Sequence, residues 1–364
     1  MSGTVIFVVQ GEGRGHLSQA LAMKSIVSKL NLEIVKVYVG RSSQRLLPNY
    51  FVNDFRGLIE EFDSPNFLID EKGKGIKVTK SLWHSFLNLP KYISFSIRLA
   101  KRVNRINADL VVNFYEPLLG LSQFFKKIHA PIVSLAHQFF SLHPNFEMPS
   151  KPRFDKNGLK VLSYISGKGS ELKLALSFYE FENCQQRRIK IVPPLLRPAI
   201  FQLESKDQGY FLVYLLNKGY AQDIIDWQKE NPEIRIEVFW DDFSKPKKWN
   251  PQKNLRFNHL DAELFLEKMA SCTSLISTAG FESVSEALLL GKRVALVPVK
   301  AHYEQKLNSY DALKTGMAVR NDDFDIDELI NGVKKLPETK QSRNDWIASG
   351  NSKVELILSE LLSR

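Results

Sequence analysis

Short apolar runs alternate with longer amphipathic stretches along the first half of the chain. Runs rich in Val, Ile and Leu predict strands near residues 4–10, 33–39, 109–114, 131–135, 174–178 and 189–192. Apolar residues at helical spacing predict helices near 16–30, 81–107 and 118–128, whereas residues 141–160, rich in Pro, Asn, Ser and Lys, predict a long loop. Such alternation is typical of a parallel, doubly wound sheet.

The same pattern restarts after the proline-rich segment at residues 193–198. Its three prolines stiffen the chain and cannot continue a helix. Beyond it, strands are predicted near 210–215, 234–240, 273–277, 293–297 and 317–320, and helices near 219–230, 261–271, 281–290, 302–315 and 325–336. We therefore predict an α/β protein with two Rossmann-like domains, residues 1–196 and 197–342, and a final helix within 343–364.

Composition narrows the class of protein. Residues 1–200 carry 28 Lys and Arg against 15 Asp and Glu, which suggests an anionic partner or surface, although no nucleic-acid-binding module is recognised. No apolar run has the length of a transmembrane helix, and no secretory signal pattern precedes the first strand. Cys184 and Cys272 form neither a disulfide framework nor a metal cluster, so we expect a cytoplasmic protein.

Candidate chemistry is densest between residues 278 and 308. An apolar strand ends at Ser277, and Gly280 follows, which allows a tight turn and a close approach of a ligand to the backbone. Ser283 lies at the mouth of a helix whose N-terminus suits an anion. Glu286 lies one turn beyond Ser283 on the same helix face. A second strand ends at Pro298, and the loop after it brings in Glu304-Gln305. Together these residues outline a pocket for a nucleotide sugar.

This series resembles the donor-binding segment of GT-B glycosyltransferases, which place two Rossmann-like domains around a cleft. It is most similar to the UDP-glycosyltransferases and to the bacterial transferase that adds N-acetylglucosamine to a lipid-linked peptidoglycan precursor. The matching positions are Gly280, Phe281, Ser283, Glu286, Ala287, Gly291, Pro298, Glu304, Gln305 and Asn308. The resemblance implies that Gly280 and Ser283 contact the diphosphate, that Glu286 binds the ribose, and that Glu304 and Gln305 bind the donor sugar. It also implies that residues 1–196 bind the acceptor and 197–342 the nucleotide sugar, and that the helix within 343–364 packs back on the first domain.

Two positions depart from the plant pattern. Thr278 stands where a His is usual and keeps only a hydroxyl donor, and Glu282 stands where an Asn is usual and adds negative charge near the expected phosphates. Lys218, after the first strand of the second domain, is a further candidate for the donor phosphates; alternatively, Asn217-Lys218-Gly219 simply starts a helix.

The N-terminus carries a second match, a strand followed by Gly11-Glu12-Gly13-Arg14-Gly15-His16. A dinucleotide fingerprint would need a third Gly where His16 stands. In the resembled families this His is the catalytic base or an acceptor-site residue, so His16 becomes the candidate base, with Gly13, Arg14 and Gly15 on the acceptor side. The alternative is a generic turn whose His caps the helix.

Other strand ends supply acceptor-side candidates. Where plant relatives have an Asp that orients the base, this chain has Asn113, and Glu116 is the possible substitute. The alternatives are a strand-end turn residue for Asn113 and a solvated surface acid for Glu116. His137 is either an acceptor-side residue or a histidine packed beside Phe139 and Phe140.

The resemblance implies transfer of a hexosyl or N-acetylhexosaminyl group from a UDP-sugar to an acceptor hydroxyl, with inversion and without a metal or other cofactor. The acceptor is a glycan, a lipid-linked molecule or a small molecule. A nonenzymatic nucleotide-sugar-binding protein and a sugar-nucleotide epimerase on the same fold are the alternatives. Asp-x-Asp pairs at 323–327 fit a helix start better than a metal motif.

One helix suggests peripheral membrane contact. Its cations recur at helical spacing and are preceded by bulky apolar residues, so it either docks on an anionic membrane or is a solvated face over a core. The cations are Arg98, Lys101, Arg102 and Arg105, and the preceding apolar residues are Leu82, Trp83, Phe86 and Leu87.

Overall fold

A computed structural model describes residues 3–12, 14–41, 46–65, 88–150, 152–215, 218–300, 302–337 and 344–363. Within these ranges the chain forms two compact α/β units, which change over after Pro198 and again after Ala348. Leu82, Trp83, Phe86 and Leu87, the start of the predicted helix at 81–107, lie outside the described residues. Each unit is built on one seven-stranded sheet.

The first unit contains a wholly parallel sheet in the order β3-β2-β1-β4-β5-β6-β7. Its strands are Gly3–Gln10 (β1), Leu32–Arg41 (β2), Ile59–Asp63 (β3), Leu110–Phe114 (β4), Ile132–Ala136 (β5), Leu172–Leu176 (β6) and Ile189–Val192 (β7). Its helices before residue 198 are Arg14–Lys29 (α1), Asn49–Asp54 (α2), Leu89–Ile106 (α3), Pro117–Ser122 (α4) and Arg153–Ser166 (α5), with 3-10 turns at His137–Leu142 and Gln185–Arg187. The strand order reverses direction between β1 and β4.

The second unit repeats this architecture in the order β10-β11-β9-β8-β12-β13-β14, with β10 antiparallel to β11 and the other pairs parallel. Its strands are Tyr210–Tyr214 (β8), Arg235–Trp240 (β9), Lys248–Gln252 (β10), Leu255–His259 (β11), Ser274–Ser277 (β12), Arg293–Leu296 (β13) and Ala318–Arg320 (β14). Its helices are Ala221–Glu230 (α6), Ala262–Ser271 (α7), Phe281–Leu289 (α8), Tyr303–Leu313 (α9), Ile326–Lys335 (α10) and Asp345–Ala348 (α11), with 3-10 turns at Pro198–Gln202 and Lys218–Tyr220.

The last helix, Gly350–Leu362 (α12), belongs to the first unit and packs on α1 and β7. The side chain of Asn351 accepts from the backbone N–H of Leu196 at 3.1 Å and donates to its carbonyl at 2.9 Å. A Cβ at Gly350 would collide with the carbonyl oxygen of Pro194, so only glycine permits this contact. The chain therefore returns to the first sheet after completing the second.

Several elements differ from the sequence predictions. The loop predicted at 141–160 is wrong in its second part, because α5 begins at Arg153. This helix packs through small residues, Ser163 and Ser166, and turns large apolar side chains outward, so its hydrophobic periodicity is inverted. The helix predicted at 118–128 ends already at Ser122. Strands β3, β10 and β11 were not predicted from the sequence. β3 is an acidic edge strand and β10–β11 is a polar hairpin, so neither has the apolar pattern that indicates a buried strand.

Candidate active-site residues in the two units

The turn between β12 and α8 lies where the strand order of the second sheet reverses, between β8 and β12. Ligands of open α/β sheets bind outside the carboxyl ends of the strands at such a point. Ala279 holds the left-handed backbone conformation here, with φ +58°, whereas Gly280 has an ordinary φ of −68°. The expectation that Gly280 makes the tight turn is therefore wrong. What glycine contributes is open space, because an added Cβ would meet only the Ser283 Oγ, at 3.6 Å.

Asn308 holds this turn from helix α9. Its side-chain amide donates to the carbonyl oxygen of Ala279 at 2.9 Å. Its Oδ1, and the Oγ1 of the buried Thr278, have no hydrogen-bond partner among the described residues. Buried polar atoms are rarely left unsatisfied, so these two atoms are exceptions next to the turn that leads into α8.

Helix α8 starts at Phe281 with no side chain capping its N-terminus. The first turn of a helix presents N–H groups without intrahelical acceptors, and its dipole favours an anion there. The Ser283 hydroxyl is half-buried and donates to the Gly280 carbonyl at 3.3 Å. Phe281 is buried and Glu282 is half-buried in the same turn. The structure thus provides an anion cradle with one acid beside it.

Glu286 and Gln305 are both buried in the second unit, at 4% and 6% exposure. Glu286 lies in the second turn of α8, in line with its predicted place one turn beyond Ser283. The Gln305 Oε1 accepts from the backbone N–H of Val299 at 2.9 Å, so it fixes the loop that joins β13 to α9. Its amide group remains the part that can donate to a ligand, and Glu304 is half-buried beside it.

His302 in this loop was not predicted from the sequence. It is the N-cap of α9, and burial lowers the pKa of its imidazole, with Glu304 opposing that shift. The sequence feature that could have indicated His302 as a site residue was its position two residues before Glu304. Lys218 begins the 3-10 turn after β8, at the same switch point; its side chain and Asn217 lie outside what the structure describes.

His16 lies in the first turn of α1, where the strand order of the first sheet reverses between β1 and β4. Its Nδ1 is 3.2 Å from the Oε1 of Gln19, one helical turn away, and both side chains are buried. With Nδ1–H donating to Gln19, the proton-free nitrogen of the neutral ring is Nε2. The ring stacks on Tyr115 at 5.6 Å between centroids. Sequence analysis missed Gln19, although its i+3 spacing from His16 was visible.

Tyr115 supports this histidine from the end of β4. Its backbone is left-handed, with φ +60°, and forms an isolated bridge to Val9. Its hydroxyl hydrogen-bonds the Ser163 Oγ at 2.8 Å. The stacked ring therefore has support from both β1 and α5.

Asn113 organises the β4–α4 turn. Its Nδ2 donates to the carbonyl of Ser166 at 2.8 Å, and its Oδ1 accepts from the N–H of Glu116 at 2.9 Å. These bonds fit the alternative of a strand-end turn residue. They join the start of α4 to the end of α5.

Glu116 is completely buried, so the alternative of a solvated surface acid is wrong. Its Oε1 accepts from the N–H of Leu118 at 3.0 Å and from the Ser64 Oγ at 2.7 Å. Burial raises the pKa of this carboxyl to about 8, with a smaller upward contribution from Glu12, while the hydrogen bonds from Leu118 and Ser64 oppose the shift. The carboxyl is thus largely protonated at neutral pH, and Gln19 rather than Glu116 lies against the His16 Nδ1.

The other acceptor-side candidates differ in exposure. His137 is buried, its Nδ1 lies 2.7 Å from the carbonyl oxygen of Leu176, and its ring packs near Phe140 and Phe178. Arg14 is exposed and Gly15 half-buried in the first turn of α1, and Gly13 lies outside the described residues. Among the described residues, no group of three His, Cys, Asp or Glu side chains could hold a metal ion.

Two α/β units of this kind, each with a seven-stranded, mostly parallel sheet and its candidate residues at a switch point, have the architecture of the GT-B fold. Similar solved structures span nearly the whole chain. A glycotransferase of kitacinnamycin is 13% identical, with TM-score 0.69 and full coverage of both chains. UGT89C1 of Arabidopsis thaliana complexed with UDP is 15% identical, with TM-score 0.63 and 99% coverage of each chain. MurG of Acinetobacter baumannii is 12% identical, with TM-score 0.59, 98% coverage of this chain and 99% of that chain.

The chain belongs to glycosyl transferase family 1, whose family model matches residues 3–337. No curated protein sequence matches it. The resemblance to GT-B glycosyltransferases is therefore confirmed, and the protein is a glycosyltransferase. No helix among the described residues is both long and apolar enough to cross a membrane.

Proposed function

We propose that the protein transfers a hexosyl or N-acetylhexosaminyl group from a UDP-sugar to an acceptor hydroxyl, with inversion and without a metal. The observation that carries this proposal is the uncapped N-terminus of α8, with the buried Glu286 in the next turn. That end suits the diphosphate, and a carboxylate one turn further along suits the paired ribose hydroxyls. UGT89C1, whose fold is similar, was solved with UDP in complex.

The leaving group is stabilised electrostatically in this proposal. As the bond between the anomeric carbon and the diphosphate oxygen breaks, negative charge grows on the diphosphate. The N–H groups at the α8 N-terminus stabilise this charge without having to reorganise, and the Ser283 hydroxyl does so once it turns away from the Gly280 carbonyl. The Gln305 oxygen accepts from the Val299 N–H and so holds the loop in place. The amide nitrogen of Gln305 then donates to the sugar, and Glu304 accepts from its hydroxyls.

On the acceptor side, His16 is the proposed general base. Its Nε2 takes the proton from the acceptor hydroxyl while the acceptor oxygen bonds to the anomeric carbon, and Nδ1–H stays on Gln19. A single displacement of this kind inverts the anomeric configuration. Because Gln19 is neutral, the imidazolium that forms lacks the ion pair that a carboxylate would provide.

Calorimetry with UDP, GDP and ADP, each with and without a chelator, tests the donor proposal. We expect UDP to bind most tightly and the chelator to change nothing. Proton NMR of the product formed from a UDP-sugar then gives the anomeric configuration. Tighter binding of another nucleotide, loss of turnover on chelation, or retained configuration would each contradict one part of the proposal.

A further inference from the structure

Helix α5 carries an unusual outward face. Three large apolar side chains on it are at least half exposed, Phe154 at 57%, Val161 at 58% and Tyr164 at 51%. They fall within one exposed arc of the helix, since residues seven and ten positions apart lie near the same side. Between Phe154 and Tyr164 the helix rises about 15 Å. This is a stripe of apolar surface rather than a scattered side chain.

The turn that follows helix α4 extends this stripe. Phe124 and Phe125 are exposed by 49% and 53%. The Lys168 Nζ lies 5.1 Å from the Phe124 ring centroid and 5.6 Å from that of Tyr164, so the two segments meet at this ammonium group. We name this surface the α5 face; it comprises Phe124, Phe125, Phe154, Val161 and Tyr164.

Close packing of the two helices makes the surface continuous. A Cβ at Gly120 of α4 would collide with the carbonyl oxygen of Ile165 in α5, so only glycine allows this approach. The inner side of α5 is occupied by Ser163 and Ser166, which bond the end of β4. Its large apolar residues are therefore held outward by the packing of the helix.

Six cations lie on α5 or within a few residues of the segments that carry this apolar surface. None of them forms an ion pair with any residue that the structure describes, and Asp155 is the one acidic residue of α5. The cations are Lys126, Lys127, Arg153, Lys156, Lys160 and Lys168. Crowding shows at Lys160, whose pKa is lowered by burial and by the nearby Lys156 and Arg187.

We propose that the α5 face docks the protein on an anionic lipid surface. Exposed aromatic and aliphatic side chains on a convex helix enter the acyl boundary, and cations around them bind anionic headgroups. A second copy of the chain does not fit, because two such faces would bring their unpaired cations together. A partner protein would need pockets for side chains that here protrude from a convex surface.

The proposed docking surface lies on α5, whereas the sequence pattern suggested the cations of α3 together with Leu82, Trp83, Phe86 and Leu87, which lie outside the described residues. On α3, Arg102 is paired with Glu60 and Arg98 stacks on Phe95 at 4.4 Å. The large apolar residues exposed on α3 stand only at its two ends, Leu89 and Ile106. The helix therefore has cations without an apolar stripe between them.

Cosedimentation of the full chain with vesicles tests the proposal. We expect binding to vesicles of phosphatidylcholine mixed with phosphatidylglycerol, weaker binding to phosphatidylcholine alone, and weakening at high salt. Phe154→Ser/Val161→Ser/Tyr164→Ser should reduce binding about tenfold or more, and Lys156→Glu/Lys160→Glu by a similar factor. Unfolding temperature and UDP binding should stay unchanged, because four of these side chains are exposed, Lys156 is half-buried, and all five lie in the other unit from the donor residues.

Two matched controls sharpen the result. Phe243→Ser removes a phenyl ring that is 74% exposed in the second unit, and Lys101→Glu/Arg105→Glu reverses two cations on α3. Both should keep parental vesicle binding. The proposal is overturned if the parent ignores anionic vesicles, if the α3 variant alone loses binding, or if light scattering shows a dimer that the triple Ser variant abolishes.

Discussion

The Asn308 amide supports the left-handed backbone of Ala279, donating to its carbonyl at 2.9 Å where φ is +58°. A non-glycine residue in this conformation carries strain that its surroundings must offset. The strained residue immediately precedes Gly280 and the open end of α8. Asn308 therefore fixes the turn that leads into the helix end proposed to bind the diphosphate.

Asn308→Ala should lower the free energy of unfolding by about 1–3 kcal/mol, because a buried carbonyl loses its donor. UDP affinity should fall with it, as the turn before α8 relaxes. Urea unfolding and calorimetry measure the two effects. The control is Asn331→Ala, which removes an exposed amide bond to Asp327 of 2.9 Å; a similar loss in that variant would contradict the specific role of Asn308.

Glu286→Ala should weaken UDP binding by about 1–3 kcal/mol, the scale of a lost hydrogen bond to a charged group. Glu282→Ala, on the same helix but beside the expected phosphates, should leave the affinity unchanged or raise it, because it removes a like charge. Calorimetry on both variants decides the assignment. Equal affinities for parent and Glu286→Ala, with the fold intact, would reject it.

Gln305→Glu should distinguish the role of the side-chain oxygen from that of the amide nitrogen. The variant keeps an oxygen for the Val299 N–H but loses the amide donors, so UDP affinity should stay close to the parent while a UDP-sugar loses its advantage over UDP. Gln305→Ala removes the loop contact as well and should lower both affinities. If Gln305→Glu weakens UDP and UDP-sugar equally, the residue does not bind the sugar.

Gln19→Glu should raise the pKa of His16, because a carboxylate beside Nδ1 favours the imidazolium form. NMR titration of the histidine ring measures this without knowledge of the acceptor. The rate of the parent should fall as the pH drops through the pKa of His16, and in Gln19→Glu the fall should begin at higher pH. Gln19→Leu should leave no such upward shift. An unchanged His16 titration in Gln19→Glu would show that the two side chains are not coupled in solution.

Glu116→Gln should change how stability depends on pH. The folded pKa of about 8 lies above the ordinary value of 4.5, so the native state binds more protons than the unfolded chain between these values. Stability of the parent should therefore fall as the pH rises from 5 to 8, by roughly 2–4 kcal/mol from this group.

Gln resembles the protonated acid and does not ionise, so the variant should lose this part of the pH dependence. The free energy of unfolding of the variant, relative to that of the parent, should therefore increase between pH 5 and pH 8. Urea unfolding at both pH values measures this difference. An identical pH dependence in the two proteins would mean that Glu116 ionises normally.

Most of the fold followed from periodicity, since the buried parallel strands are continuous apolar runs and the helices between them are amphipathic. Elements that depend on tertiary contacts did not. Helix α5 buries Ser163 and Ser166 and exposes Phe154, which reverses the usual pattern. Strand β3 is an edge with the sequence Ile-Glu-Glu-Phe-Asp, and such edges lack the apolar pattern that marks a central strand.

The candidate site was predictable where spacing alone determines position. Ser283 and Glu286 share a helix, and the switch points bring His16 and the α8 turn to strand ends. The sequence did not decide between Gln19 and Glu116 as the residue against the His16 Nδ1; in the structure Gln19 lies there and Glu116 caps α4. It also assigned to Gly280 a backbone role that belongs to Ala279.

The position of α12 has a consequence for the order of folding. The second unit is continuous in the described sequence from Ala199 to Ala348, whereas the first unit needs residues from both sides of it. During synthesis the second sheet can close while the groove of α1 and β7 that receives α12 is still empty. We therefore expect the domain with the donor residues to reach its native state first, and the domain with His16 to complete its packing only when α12 leaves the ribosome.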